Sequence, residues 1–379
     1  MNIVVLGHNQ VDPCNRVRWA RLAECYPDAR VTVLPPRYWM NHSYGRRVEF
    51  VPAPERHGNY RVIPLGVVAP GSGRYVYRSL DLRFRQLKPD IIWVYADPQT
   101  YVMPQVILYK KLYAPDARII CCTSTNVPSR LDRFDRVQRH RFALRNLAAF
   151  STGTQEVIDR LHAEGVTQPI LHRVITGADE RHWRPGDEPE LRRRLGLGDF
   201  VVGFVGRHEH AKGLPDLVAA LEGLEGAWSF LSLGDGPFKA EAERRLKAAR
   251  GGRGVQLCGY VPHVQTPPYY RCMDVLVLVS RQVGVTREPA GVVIMEANLS
   301  RVVSVVSDLP GPAEIAGDSG IVIPEGDVAR LRDGLRRLRD DPAERARRAE
   351  ASYRRALDAF GATAIARDTY AFCQELMSR

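Results

Sequence analysis

Two linked segments, Val275-Leu-Val-Leu-Val-Ser280 and Glu288-Pro-Ala-Gly-Val-Val-Ile-Met-Glu296, decide how this chain reads. The first is a short apolar, β-branched run and predicts a buried strand. The second opens on a Pro-Ala-Gly turn and continues as an apolar helix. Strand, loop and helix in that order form the unit of a parallel α/β sheet. The two carboxylates, Glu288 and Glu296, stand eight positions apart around the turn. A helix N-terminus offers free N–H groups and the positive end of a dipole, and together these bind phosphate. The amides of Gly291, Val292 and Val293 are the candidates. Helical side chains lean toward the N-terminus, so Glu296 is expected to reach back to that end. Like charges repel, so both glutamates suit hydroxyls on either side of a phosphate better than the phosphate itself. An acidic residue near a helix start is also ordinary stabilisation, so the spacing needs support from elsewhere.

That support comes from Val201-Val-Gly-Phe-Val-Gly206, a second predicted strand, which runs into Arg207-His-Glu-His-Ala-Lys212-Gly213. The chain has 54 basic residues and only six are lysine. Where arginine is the default surface cation, a lysine beside a glycine at a strand exit is a chosen residue. Lysine is a compact cation suited to phosphate, and Arg207 adds a planar fork.

These segments resemble the C-terminal half of the retaining family 4 glycosyltransferases, which have the GT-B fold. Glu288-x7-Glu296 is similar to that family's donor signature, and Gly206-Arg207…Lys212-Gly213 to its second one. Leu233-Gly-Asp-Gly-Pro237 resembles its Gly-x-Gly-Pro turn, and Leu257-Cys-Gly-Tyr-Val-Pro262 its base-contacting loop. Gly177-Ala-Asp179 with Trp183-Arg-Pro185 resembles the run into the interdomain linker, and Asp308–Ile315 the segment after the signature helix. The likeness covers residues 170–330; the first half is similar mainly in layout. There are departures. The loop after the first strand, Gly7–Arg16, has one glycine where many members carry a pair, and Asn298–Val303 lacks the usual proline.

The resemblance implies two doubly wound Rossmann-like domains facing a central cleft. Residues 1–184 would bind the acceptor and 185–360 the nucleotide sugar, with helix 361–379 packing back on the first domain. Arg184-Pro-Gly-Asp-Glu-Pro189 is the linker candidate, and a hinge there would close on the donor. The implied reaction is transfer of a sugar from a nucleoside diphosphate sugar to an acceptor hydroxyl or amine, with retention. Arg207, Lys212 and Glu288 take the catalytic positions. Gly206, Glu296, Gly291, Val292, Val293, Tyr260 and Val261 take the donor-binding ones. No cofactor and no metal is expected: His208 and His210 lack partners at zinc spacing, and no Asp-x-Asp motif is visible. Two alternatives stay open, a GT-B-type nucleotide-sugar epimerase and a catalytically weak nucleotide-sugar-binding subunit.

The N-terminal half alternates predicted strands (3–6, 31–34, 91–95, 118–122, 149–152) with predicted helices (16–25, 75–86, 103–112, 132–147, 155–164), as a parallel sheet covered on both faces does. Pro64–Gly73 reads as a loop or short hairpin. No Gly-x-Gly-x-x-Gly follows the first strand, so a dinucleotide fingerprint is absent. At strand exits stand His8, Asp12, Asn15 and Arg16, then Asp97, then Ser124-Thr-Asn126. These are acceptor-side candidates, and equally residues of the kind that start turns and cap helices.

At 379 residues, 45% hydrophobic and 26% charged, the composition is globular, and no apolar run approaches a membrane span. Met1–Gly7 has no signal-peptide pattern, and seven cysteines without a Cys-x-x-Cys pair read as reduced thiols in a cytoplasmic protein. The net charge of +11 falls entirely in residues 1–184, with 27 basic and 16 acidic side chains. A basic half points to an anionic partner, either an acidic acceptor or a membrane surface at the cytoplasmic face. No nucleic-acid motif accompanies it. Arg130, Arg133, Arg136 and Arg139 recur every three residues and predict a cationic helix stripe.

Overall fold

The computed structural model describes residues 1–43, 46–71, 74–128, 133–174 and 176–379. In its first half the elements are β1 (Asn2–Gly7), α1 (Val17–Cys25), β2 (Arg30–Leu34), β3 (Trp39–Ser43), β4 (Arg46–Phe50), β5 (Glu55–His57), β6 (Tyr60–Val62), β7 (Val67–Val68), β8 (Val76–Tyr77) and α2 (Leu80–Leu87). They continue with β9 (Ile91–Tyr95), α3 (Val102–Tyr113), β10 (Arg118–Cys122), α4 (Phe134–Leu144), β11 (Ala149–Thr152), α5 (Gln155–Ala163) and β12 (Ile170–His172). The second half runs α6 (Pro189–Arg194), β13 (Val201–Val205), α7 (Leu214–Glu222), β14 (Trp228–Leu233), α8 (Lys239–Ala248), β15 (Gly252–Leu257), α9 (Pro267–Arg271), β16 (Val275–Leu278) and α10 (Val292–Leu299). It ends with β17 (Val303–Ser307), α11 (Pro310–Ala316), β18 (Ile321–Ile323), α12 (Val328–Asp340), α13 (Pro342–Phe360) and α14 (Ala362–Ser378).

The first compact unit comprises Met1–Asn41, Val48–Gly177 and Ala362–Arg379. Its sheet has the order β12-β11-β10-β9-β1-β2-β6-β5 and is parallel except at the β5 edge. Side chains alternate across a strand, so each strand feeds two cores. Val4, Leu6, Ile92, Val94, Ile119 and Cys121 face one core, which is covered by α2, α3 and α4. Ile3, Val5, Trp93, Ile120 and Cys122 face the other, with Trp19 and Leu22 of α1. Helix α14 closes that second face through Ala366, Tyr370, Cys373 and Leu376, spaced three or four apart on one stripe. Tyr370 stacks on Tyr26 at 3.9 Å and donates to Asp28 at 2.5 Å, and Arg173 pairs with Asp368 at 2.6 Å.

The second unit, His42–Arg47 with Ala178–Gly361, has the parallel sheet order β15-β14-β13-β16-β17-β18. Its core joins Val202, Phe204, Phe230, Val275, Val277, Val303 and Val305 to Leu217, Leu221, Leu331 and Leu335 of the flanking helices. Both sheets are doubly wound.

Three expectations shift. The units divide at Gly177/Ala178, not after Arg184. Ala178 bridges to Gly361, and Trp183 is buried against His182 and His263 of the second unit. The linker candidate is likewise tied down within that unit. Glu188 takes two bonds from Arg271, at 2.8 and 2.5 Å, and Pro189 begins α6. The predicted helix at 75–86 is a strand followed by a helix. Tyr75 and Tyr77 enter the core, the Gln105 amide satisfies both backbone groups of Tyr77, and Ser79 takes a left-handed φ of 55° before α2. Within Pro64–Gly73, Val67–Val68 pairs antiparallel with Val76–Tyr77 as a hairpin arm, and residues 72 and 73 lie outside the described residues. All seven cysteines are free thiols, and no helix among the described residues is long and apolar enough to cross a membrane.

Candidate functional site

In an open parallel sheet, ligands bind beyond the carboxyl ends of the strands where the winding direction reverses. In the second unit that point lies between β13 and β16, which are neighbours although their paired residues Val202 and Val275 stand 73 positions apart in the chain. Arg207 and Lys212 follow β13, and Glu288 and α10 follow β16. The sheet order therefore brings the two sequence signatures together.

Lys212 and Glu288 form an ion pair, with side chains 23% and 11% exposed. Ser280, at the end of the β16 segment, donates its hydroxyl to the same Glu288 oxygen at 3.4 Å. Gly213 lets the lysine loop lie this low. Its φ is 72°, and a Cβ there would fall 1.9 Å from the Val279 carbonyl oxygen. Arg207 is exposed and pairs with Glu209 at 2.8 Å. Below it, Asp216 of α7 accepts a fork from Arg281 through two bonds of 2.6 Å.

Helix α10 starts at Gly291, whose φ is 89° and which no side chain caps. A Cβ at Gly291 would meet Ile294 and Leu278 at 2.9 Å, so this turn is built for glycine. Ile294 donates to the Gly291 carbonyl at 3.0 Å. The amides of Gly291, Val292 and Val293 precede the first helical hydrogen bonds, the position at which a helix presents donors to an anion. Tyr260 and Val261 are half-buried after β15, and Gly234 ties that loop to the β14 exit by donating to the Gly259 carbonyl at 2.7 Å. Gly206 ends β13 and donates to the Leu233 carbonyl at 3.0 Å.

Glu296, in the second turn of α10, is held by residues from outside the helix. It is 1% exposed. Tyr270 donates its hydroxyl to Oε2 at 2.5 Å, and the His263 Nε2 lies 2.5 Å from Oε1. His263 and Tyr270 are functional partners that sequence reasoning missed, because nothing in their spacing links them to α10. His208 lies in the loop between Arg207 and Lys212. It is fully buried against Phe204, and burial, with Lys239 nearby, pushes its pKa down to about 4. It is a neutral packing residue, and its backbone ties the loop after β13 to the loop after β14 by donating to the Asp235 carbonyl at 2.9 Å.

In the first unit the winding reverses between β1 and β9, and the structure brings His8 and Asp97 to that point. The His8 ring stacks on Trp39 at 5.0 Å and meets the Tyr75 edge at 5.9 Å. Burial lowers its pKa, and the Asp97 charge opposes that shift. Asp97 accepts from the Thr123 and Thr125 hydroxyls, the latter at 2.9 Å, and so is held by neutral donors from the β10 exit. The remaining acceptor-side candidates shape their own loops. Arg16 is buried and donates to the Gln10 and Val11 carbonyls at 2.7 and 3.2 Å and to Glu55 at 2.5 Å. Asp12 accepts from the Cys14 amide at 2.9 Å, and Asn15 donates to the Asn9 carbonyl at 2.7 Å. Asn126 donates to Glu156 at 3.0 Å. Burial of the Trp39 and Tyr75 rings carried no sequence signal, since Trp39 begins a five-residue strand and Tyr75 immediately precedes a two-residue one.

Residues 187–355 match the family model described as Glycosyl transferases group 1. Over 277 residues the chain is 28% identical to a 2-deoxystreptamine glucosyltransferase of Streptomyces kanamyceticus, covering 68% of this chain and 70% of that protein. Two solved structures share the fold. A sucrose-phosphate synthase from Thermosynechococcus elongatus superposes with a TM-score of 0.71 at 18% identity, over the whole of both chains. The Anabaena protein HepE in complex with UDP-glucose superposes with a TM-score of 0.68 at 16% identity, over 99% of this chain and all of that one. Residues 187–355 thus carry the likeness to the glycosyl transferases group 1 family, and the chain is a glycosyltransferase with the GT-B fold.

Proposed function

We propose that the chain moves a sugar from a nucleoside diphosphate sugar to an acceptor hydroxyl or amine, with retention at the anomeric carbon. The observation that carries this reading is the Lys212–Glu288 pair beside the α10 N-terminus, at the winding reversal of the second sheet. Charge develops on the departing diphosphate. Lys212, Arg207 and the amides of Gly291–Val293 are the groups to neutralise it, and one such preorganised donor is worth about a hundredfold to a thousandfold in rate. Glu288 is fixed by Lys212 and Ser280 and has lone pairs left for sugar hydroxyls. Glu296, oriented by Tyr270 and His263, is the acceptor for ribose hydroxyls.

The step fits front-face substitution. The bond from the anomeric carbon to the phosphate oxygen breaks, the acceptor oxygen or nitrogen bonds on the same face, and its proton passes to the departing phosphate. With those cations in place, the reading calls for no divalent ion. The relative's name makes an aminocyclitol the first acceptor to try. The half-buried Asp97, held by two threonine hydroxyls, is a fitting partner for an acceptor amine. We place the reaction in the cytoplasm and an anionic partner against the basic first unit.

A panel of nucleotide sugars tests the reading. The true donor at a hundred times its dissociation constant should stabilise the chain by about 2.7 kcal/mol. With an acceptor panel led by 2-deoxystreptamine, proton NMR should detect a product of retained configuration, unaffected by EDTA. An inverted product, an epimerised donor, or binding without turnover would each refute it.

A further inference from the structure

The expected stripe of Arg133, Arg136 and Arg139 is not the outward face of α4, and Arg130 lies outside the described residues. Arg139 turns inward. It donates to the Gln99 carbonyl at 2.8 Å, pairs with Asp135 at 2.8 Å and covers the Tyr101 ring at 4.0 Å. Arg133, just before α4, is exposed and also pairs with Asp135, at 3.3 Å. What α4 turns outward is Phe134, Gln138, Arg141, Phe142 and Arg145, spaced as one helical face. Its opposite side buries His140 and Ala143.

Helix α3 is arranged alike. Val102, Met103, Val106 and Ile107 are buried, while Leu108, Lys111 and Leu112 are exposed. The Lys111 ammonium lies 5.6 Å from the Phe142 ring, which joins the two outer faces into one patch. Of thirteen exposed large hydrophobic side chains among the described residues, four lie here, Leu108, Leu112, Phe134 and Phe142, and Phe134 is the most exposed of all at 79%. Lys111, Arg141 and Arg145 have no ion-pair partner among the described residues, and α3 contains no acid.

We propose that this patch docks the chain on an anionic phospholipid bilayer. Charge complementarity selects an anionic partner. The aromatic and aliphatic side chains between the cations select one with an apolar interior, which a soluble polyanion lacks. Interfacial helices combine these two elements, with apolar side chains entering the acyl boundary and cations at the headgroups. The patch is separate from the residues assigned to sugar transfer, so the two readings stand or fall independently.

Co-sedimentation of the full chain with vesicles tests the surface. Binding is expected to phosphatidylglycerol–phosphatidylcholine vesicles, not to phosphatidylcholine alone, and is expected to fade at high salt. Lys111→Gln/Arg141→Gln/Arg145→Gln should weaken it by about a hundredfold, near fivefold per cation. Phe134→Ser/Phe142→Ser should weaken it at unchanged charge. Both variants should keep the melting temperature and the donor hydrolysis of the parent chain. Arg244→Gln/Lys247→Gln, on α8, should bind vesicles as the parent does. The proposal fails if the parent ignores anionic vesicles at low salt, if the α8 variant loses binding equally, or if the phenylalanine variant binds undiminished. Binding to a nucleic acid or protein partner without vesicle binding also overturns it.

Discussion

Lys212 and Glu288 are 76 positions apart in the chain and form an ion pair because β13 and β16 are neighbours across the winding reversal. The pair places a cation and an anion at one strand exit, each oriented by the other. Removing the lysine takes away charge facing a departing phosphate and leaves Glu288 unpaired. Lys212→Ala should lower turnover about a hundredfold, and Arg207→Ala by a similar factor. Arg207 is exposed and pairs with nearby Glu209, so its loss should not move the melting temperature. Steady-state kinetics beside thermal unfolding checks both statements, and near-parental turnover in both variants would remove the assigned roles.

Glu296 is both a ligand candidate and a structural residue. Its carboxylate is buried and accepts from Tyr270, and His263 lies against the other oxygen. Glu296→Ala should therefore weaken nucleoside diphosphate binding and also destabilise the unit by about 1–3 kcal/mol, the cost of stranded buried partners. Glu288→Ala should impair use of the sugar with a smaller effect on nucleotide affinity. Calorimetric titration with free nucleoside diphosphate separates the two. Equal losses of affinity would end the division of labour.

His208 gives a pH dependence with a defined sign. Its folded pKa is about 4 against an unfolded value of 6.5, because burial disfavours the imidazolium. As pH falls below 6.5 the unfolded chain takes up a proton that the native state refuses. The stabilisation is complete above that value and is lost progressively down to about pH 4. His8 and His140 are also lowered by burial, so the parent curve contains several such contributions. The difference between parent and His208→Gln isolates one. The variant should lose less stability than the parent between pH 7 and pH 4, by a few kcal/mol. Parallel denaturation curves would show that His208 is not held neutral.

Backbone packing beneath Lys212 is testable by adding one methyl group. Gly213 and Gly284 both have positive φ, at 72° and 60°, so an alanine is strained at either. At Gly284 nothing lies within 4 Å of the added Cβ, whereas at Gly213 the Val279 carbonyl oxygen is 1.9 Å away. Gly284→Ala should cost about 1 kcal/mol. Gly213→Ala should cost several times that, and should also impair turnover by lifting the lysine loop. Equal costs would mean that the loop yields freely.

Long strands with uniform apolar composition were legible in the chain, as at Ile91–Tyr95 and Arg118–Cys122, because burial on both faces leaves a continuous apolar run. The donor signatures were legible for the same reason, each sitting at the end of such a strand. Two- and three-residue strands such as β5, β6 and β7 are too short to show a period. The start of the second unit falls earlier than the Pro- and Gly-rich Arg184–Pro189 suggests, because composition marks a loop but not the burial of Trp183 just before it. The orientation of α4 was misread for a related reason. Arginine spacing gives a helical face, but the stacking of Arg139 on Tyr101 decides which face turns inward. The engagement of Glu296 depends on a tyrosine and a histidine from α9 and the turn before it, a tertiary contact with no local signature.

Asp97 is the acceptor-side residue with the most to reveal. It stands beside His8 at the winding reversal of the first sheet, and Thr123 and Thr125 fix its carboxylate through hydroxyl donors. No ion pair among the described residues neutralises it. A carboxylate oriented in this way is matched to an acceptor's ammonium or hydroxyl group, and a hydrogen bond involving a charged group is worth about 1.5–3 kcal/mol. Asp97→Asn preserves size and removes the charge; its amide oxygen still accepts from one threonine hydroxyl, and its NH2 donates to the other once that hydroxyl rotates. It should lower acceptor-dependent transfer about tenfold to a hundredfold and leave slow donor hydrolysis at the parental rate. His8→Phe keeps the stack on Trp39 and removes the ring nitrogens, so it should leave stability intact. It tests whether the imidazole also contributes. Rates of sugar transfer and of donor hydrolysis, measured side by side for each variant, give the answer. If Asp97→Asn lowers both rates equally, Asp97 supports the fold of the first unit and has no part in acceptor recognition.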